Sequence, residues 1–169
     1  MIILGIDPGL ARVGWGVIRY EGGRFQTLDY GCIETRAGLR TETRLCEIYE
    51  KLADIIEKYR PDEMAVEKLY FNTNQTTAID VAQARGVLVL CARQRGVRLA
   101  EYTPLQVKQA VAGYGRAEKR QVIMMVTSFL SLKEPPKPDD TADALAIAIC
   151  HAHTGSSALS SYLNAGKRR

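Results

Sequence analysis

The 169-residue sequence contains no apolar run near membrane-spanning length; stretches such as Gly86–Ala92 fall far short of the roughly 20 residues a bilayer requires. Nor does a basic flank precede the first apolar segment, so a secretory signal is not expected and a cytoplasmic location is. The four cysteines (Cys32, Cys46, Cys91, Cys150) form no C-x-x-C pair and sit in apolar stretches, which predicts reduced core thiols rather than disulfides. Cys150-His151-Ala152-His153 has no second Cys/His pair to complete a four-ligand zinc site. Gly113-Tyr114-Gly115 is followed by no Gly-Lys-Ser or Gly-Lys-Thr, which excludes a phosphate loop of that type. There is no internal repeat, and the length suits one globular domain.

Charge is present but unevenly spread. Residues 1–80 carry 10 Lys and Arg against 13 Asp and Glu, while residues 81–169 carry 13 against 6. A basic half beside an acidic half fits a polyanion held over a metal-binding acidic site, and equally fits ordinary solvated surface.

The apolar run Ile2–Ile6 is stopped by the turn signal Asp7-Pro8-Gly9, which puts Asp7 at the end of a buried strand. Val13–Tyr20 and Arg24–Thr35 read as two more strands around the hairpin signal Glu21-Gly22-Gly23, giving an antiparallel meander. Apolar positions Leu45, Ile48, Leu52, Ile55, Ile56 and Tyr59 recur at helical spacing until Pro61. Met64–Val66 is a short buried strand delivering Glu67, and Asp62 and Glu63 fit its solvated start. A helix over about Ala78–Arg95 and a strand over Val97–Tyr102 follow. Pro104 opens a further helix that Gly113 and Gly115 break, and another spans about Ala117–Leu130. After the stiff Lys133–Pro138 linker, Asp139 is a fitting N-cap for a last helix ending near His151. Residues 1–153 are expected to form the domain, and 154–169 a disordered basic tail. Three antiparallel strands followed by strands alternating with helices predict an α/β protein: a ribonuclease-H-like mixed sheet with helices on both faces.

Asp7 and Glu67 each end an apolar strand, so they meet at one sheet edge if those strands are neighbours. Asp140 and Asp143 are i and i+3 in the first turn of the last helix, on one face and where the helix dipole favours carboxylates. Phosphodiester hydrolysis by metal ions needs such convergence. Taken singly, Asp7 is also a normal turn residue and Asp140 a normal helix-start residue.

Ile3-Leu4-Gly5-Ile6-Asp7-Pro8-Gly9, Gln83-Ala84-Arg85-Gly86, Gln106-Val107-Lys108-Gln109 and Ala142-Asp143-Ala144-Leu145-Ala146-Ile147-Ala148 resemble the signature segments of the bacterial RuvC family of Holliday-junction resolvases, from Met1 to about His153. The resemblance implies a crossover junction endodeoxyribonuclease that nicks two opposed strands of a four-way DNA junction symmetrically, as a homodimer, working with the RuvA and RuvB branch-migration proteins. It implies that Asp7, Glu67, Asp140 and Asp143 are the catalytic acids and bind Mg2+, two ions per site, with Mn2+ as a substitute. Some relatives carry His at the position of Asp140; here it is acidic. Lys108 and Lys119 match lysines that hold junction phosphates, and Tyr70 lies where the family has a functional aromatic.

Arg116 and Arg120 lie in the same basic third and are further candidates for DNA contact. Phe71, beside Tyr70, either stacks on an unpaired base or packs on the core. Around Gly86, Val87 and Leu90 the helix is apolar on every side, which calls for a second covering surface: a two-fold mate, or the interior of a single domain. Gly86 permits close helix approach. One rival class, an actin-like or sugar-kinase-like nucleotide-binding protein, opens with a similar strand, Asp-x-Gly turn and hairpin but needs two such domains. A non-catalytic junction binder and a nuclease acting on RNA precursors are the others.

Overall fold

The computed structural model describes the backbone of residues 1–69 and 75–166 and the side chains of residues 1–69 and 78–155. The chain opens with β1 (Ile2–Asp7), β2 (Arg12–Glu21) and β3 (Arg24–Glu34), the last two joined by a two-residue hairpin loop. Its residues, Gly22 and Gly23, have φ of 57° and 78°; a turn with both central residues at positive φ matches the strand twist and strongly favours glycine. Then follow α1 (Thr41–Tyr59), β4 (Glu63–Glu67), α2 (Gln75–Gln94), β5 (Arg98–Tyr102), α3 (Pro104–Ala112), α4 (Lys119–Phe129) and α5 (Asp139–Gly166).

The five strands form one sheet in the order β3-β2-β1-β4-β5. β1 is antiparallel to β2 and parallel to β4, and β4 is parallel to β5. This is the ribonuclease-H-like mixed sheet that the sequence predicts. Because strand side chains alternate between faces, each strand feeds two cores. Leu4, Ile6, Val13, Val17, Met64 and Val66 face one way, where Ile48 and Leu52 of α1 and Leu88 and Cys91 of α2 cover them. Ile3, Ile18, Ala65 and Tyr102 face the other, under Val107 of α3, Val122 and Val126 of α4, and Leu145 and Ile149 of α5. Asp7 follows Ile3 and Gly5 on the α5 face; Glu67 follows Ala65 onto the same face.

Two local expectations are corrected. Cys46 is exposed on α1 rather than in the core, because the buried stripe of that helix runs through Ile48, Leu52 and Ile56; all four cysteines are free. The last helix does not end near His151 but runs to Gly166, through a segment with the helix formers Ala158, Leu159 and Leu163 and no proline.

Candidate active site

Three elements bring the acids together, and glycine decides how closely. In the β1–β2 ladder Asp7 lies opposite Gly14, and in the β1–β4 ladder the last pair, Ile6 with Val66, leaves Asp7 and Glu67 side by side at the next step. A Cβ added at Gly14 would fall onto the carbonyl oxygen of Asp140, one at Gly5 onto that of Ala144, and one at Gly16 against the Leu145 side chain. The bare backbone of β1 and β2 is therefore the seat of α5, and its first turn lands beside Asp7. Thr141, fully buried, donates from Oγ1 to the Gly31 carbonyl at 3.2 Å and ties that turn to β3. Sequence reasoning passed over these glycines. The signal was the repeat Gly14-Trp15-Gly16 inside a strand, which marks a close approach of another backbone.

Asp7, Glu67 and Asp143 line a cavity of about 200 Å³ together with Lys108 and Lys119. Asp140 lies outside this lining but within electrostatic reach of Asp7. Burial, then the charges of Asp143, Glu67 and Asp140, push the Asp7 carboxyl up to about 8, against a partial offset from Lys119. Glu67 is raised by burial and by Asp143, with Lys108 pulling the other way. Asp143 is raised by burial as well, though Lys119 opposes the shift.

Counter-charge comes from two directions. Lys119 Nζ donates to Asp143 Oδ2 at 3.0 Å and lies 3.4 Å from Asp139 Oδ2. Arg12 stands 3.9 Å from Asp140 and 3.7 Å from Glu34. Neither Asp139 nor Arg12 stands out in the sequence as part of a site. Among the described residues, no three His, Cys, Asp or Glu side chains stand close enough to hold an ion as they are oriented. The donor set nonetheless fits a hard divalent cation: carboxylate oxygens that burial and mutual repulsion leave short of positive charge.

Of the other candidate residues, Lys108 is held at the cavity by α3, whose start is fixed by a capping box: Gln106 N–H donates to Thr103 Oγ1 at 3.1 Å, and Thr103 N–H to Gln106 Oε1 at 2.9 Å. Arg116 and Arg120 are exposed and stand outside the cavity lining. Tyr70 and Phe71 lie outside the described residues. On α2, Leu90 is 52% exposed, Ile79 62%, and Gly86 is exposed too, forming one stripe at helical spacing. Val87 instead is half-buried against its own core.

Comparison with known proteins converges on one family. A family model described as crossover junction endodeoxyribonuclease RuvC matches residues 3–151. The chain is 57% identical over 155 residues to the crossover junction endodeoxyribonuclease RuvC of Alkaliphilus metalliredigens, covering 92% of this chain and 94% of that one. It is 59% identical over 155 residues to that of Alkaliphilus oremlandii, with the same coverage. Among solved structures, Thermus thermophilus RuvC in complex with Holliday junction substrate superposes with a TM-score of 0.89 at 36% identity, covering 94% of this chain and 96% of that one. With a sheet, a glycine-seated helix and an acidic cavity of this kind, and relatives matching over nine-tenths of its length, the chain belongs to the RuvC family of crossover junction endodeoxyribonucleases.

Proposed function

We propose that this chain is a structure-selective endonuclease that resolves four-way DNA junctions by paired symmetric nicks in recombination and repair. The observation that carries the reading is the buried set of carboxylates, Asp7, Glu67 and Asp143 with Asp140 beside them, gathered at a cavity whose positive charge comes from lysines. A divalent ion held by these four acids supplies Lewis acidity toward the phosphodiester and an activated water. Mg2+ is the proposed ion, two per site, with Mn2+ as a substitute.

The chain's own residues do the rest. Rigid strand ends fix the directions of Asp7 and Glu67, and the seated first turn of α5 fixes Asp140 and Asp143. Asp7, whose carboxyl burial and its acidic neighbours push up to about 8, would give up its proton when a cation is held there. Lys108 and Lys119 hold phosphates of the cut strand, Arg116 and Arg120 those further out, without reading bases. Tyr70 and Phe71, close after Glu67 in the sequence, are proposed to stack on nucleotides at the branch point. RuvA and RuvB are the proposed partner proteins and the cytoplasm the proposed location; among the described residues no helix is long and apolar enough to cross a membrane.

A homodimer is proposed through α2, supported by the exposed stripe of Ile79, Gly86 and Leu90. Leu90→Glu puts a charge on that stripe and is expected to give a monomer in sedimentation, with uncoupled single nicks on a junction. A wild-type monomer, both free and bound to DNA, overturns the dimer.

The test of the activity compares a synthetic four-way junction, a linear duplex and an RNA–DNA hybrid. Paired nicks are expected on the junction in Mg2+. Binding with little cutting is expected in Ca2+, whose longer and looser coordination misplaces water and leaving group. Equal cutting of all three substrates overturns the junction reading.

A further inference from the structure

Two lysines line the acidic cavity, and they stand differently. Lys108 acts on Glu67 through its charge, whereas Lys119 is bonded into the acids, 3.0 Å from Asp143 and 3.4 Å from Asp139. Asp139 and Asp143 are i and i+4 on α5, so their carboxylates neighbour each other along one face and a single ammonium bridges them. The backbone of Lys119 is fixed: it is the first residue of α4, after Ala117, which is 1% exposed, and Glu118, whose N–H donates to Gln121 Oε1 at 2.9 Å. Its side chain is about half exposed.

An ammonium on Asp143 would compete with a cation for that carboxylate, because two positive charges sharing one carboxylate repel. Asp139, outside the four candidate ligands, offers the lysine a second anchor one helical turn away. Resting on the metal-site reading above, we propose that Lys119 is a displaceable counter-ion. It neutralises Asp143 in the free protein, competes there with a divalent cation, and passes to Asp139 and a DNA phosphate when ion and substrate arrive. Lys119 is then a positioning residue for the metal site as well as a phosphate contact, and the free protein binds its ion weakly until DNA draws the lysine off.

The test is calorimetric titration of the full-length protein with Ca2+ alone, without DNA. Lys119→Met is expected to bind Ca2+ about tenfold more tightly than wild type, because one competing charge beside the ligands is gone. Arg120→Met removes the same charge one residue on; among the described residues no ion pair joins Arg120 to the acids, so a change below about twofold is expected. Lys119→Met should also melt lower than wild type in chelator, since its acids have lost their counter-ion, and Ca2+ should restore it. Lys119→Gln repeats the measurement should the Met variant fold poorly.

Equal Ca2+ affinity in wild type and both Lys119 variants overturns the proposal, as does an equal gain in Arg120→Met or the absence of saturable binding in every protein. Asp7→Asn separates this failure from that of the metal-site reading. If wild-type Ca2+ binding survives Asp7→Asn unchanged, the ion sits elsewhere, and the reading and the inference fall together. If binding depends on Asp7 but not on Lys119, only the inference falls.

Discussion

Strand β4 carries a glutamate at each end, both on the α5 side of the sheet, and the two are treated in opposite ways. Glu63 takes Arg98 Nη2 at 2.7 Å on one oxygen and His151 Nε2 at 2.6 Å on the other. His151, 4% exposed, completes its bonding through Nδ1 to the Tyr102 hydroxyl at 2.7 Å. A neutral ring with its proton on Nε2 satisfies both contacts, donating to Glu63 and accepting from Tyr102. Glu67, four residues on, has burial and Asp143 working against its charge and, among the described residues, Lys108 in its favour. Folding alone would close both ends in the same way. Among the described residues the fold closes one end and leaves the other with less compensation, the difference expected between an end that holds a helix in place and one proposed to accept a cation and a phosphate.

Neutralising the open end should have the largest effect. Asp7→Asn or Glu67→Gln is expected to lower junction cutting by at least about a thousandfold, removing a proposed metal ligand, while junction affinity changes only several-fold because phosphate contacts dominate it. Single-turnover rates beside gel-shift affinities measure the two separately. Cutting within tenfold of wild type would mean the open end is not the active site.

The same substitution should stabilise the metal-free protein. The Asp7 carboxyl rises from an ordinary 3.8 to about 8 on folding, so between those values the native state binds more protons than the unfolded chain. Stability in chelator therefore falls as pH rises from about 4 to about 8, and the full penalty, of the order of 6 kcal/mol at most, is present only above the folded value. Asp7→Asn removes it. Its melting temperature should exceed that of wild type by roughly 5 °C or more at pH 8, by a clearly smaller margin at pH 5, and by little near pH 4. A variant that melts lower at all three pH values would make Asp7 a structural turn residue.

Much of the open end is legible in the sequence because each acid sits where an apolar pattern stops: Asp7 after Ile2–Ile6, Glu67 after Met64–Val66, Asp140 and Asp143 at i and i+3 before an apolar helix. The closed end is not read. Glu63 looks like a solvated strand start, yet strand alternation sets residues 63, 65 and 67 on one face, and that face meets α5. His151 follows Asp143 and Ile147 in steps of four, a helical register that points it toward β4 once the helix is seated. What hides the pairing is distance along the chain, since 88 residues separate Glu63 from His151. The repeat Gly14-Trp15-Gly16 marks where a backbone can come close, but which helix crosses there, and so pairs such as Lys119 with Asp139, is settled by tertiary topology and not by a local pattern.

Breaking the closed end should act with the opposite sign. Glu63→Gln takes the carboxylate from the buried His151, a loss of about 1 to 3 kcal/mol, while Arg98, largely exposed, adds little to it. Melting temperature should fall by roughly 3 to 10 °C with or without metal, while cutting well below the transition stays within about threefold of wild type. A large loss of cutting in a folded Glu63→Gln protein, seen by single-turnover kinetics at low temperature, would show that the two ends of β4 are coupled rather than divided in labour.

The smallest effect, and the one that places the boundary of the open end, belongs to Lys108. It lines the cavity and lowers the pKa of Glu67 by its charge, so it has two possible customers: the acid behind it and a phosphate in front. A lysine that neutralises one phosphate releases about one counterion, so Lys108→Ala should flatten the slope of log K against log salt by roughly one unit, weakening binding several-fold at moderate salt and equally for every junction sequence. Removing it also lets Glu67 keep its proton to higher pH, which should raise the Mg2+ concentration needed for half-maximal cutting. At saturating Mg2+ and DNA both deficits are overcome, and the cutting rate should return to near wild type. If the salt slope is unchanged and only the metal requirement rises, Lys108 serves Glu67 alone, and the open end of β4 has a partial partner of its own, as Glu63 has in Arg98.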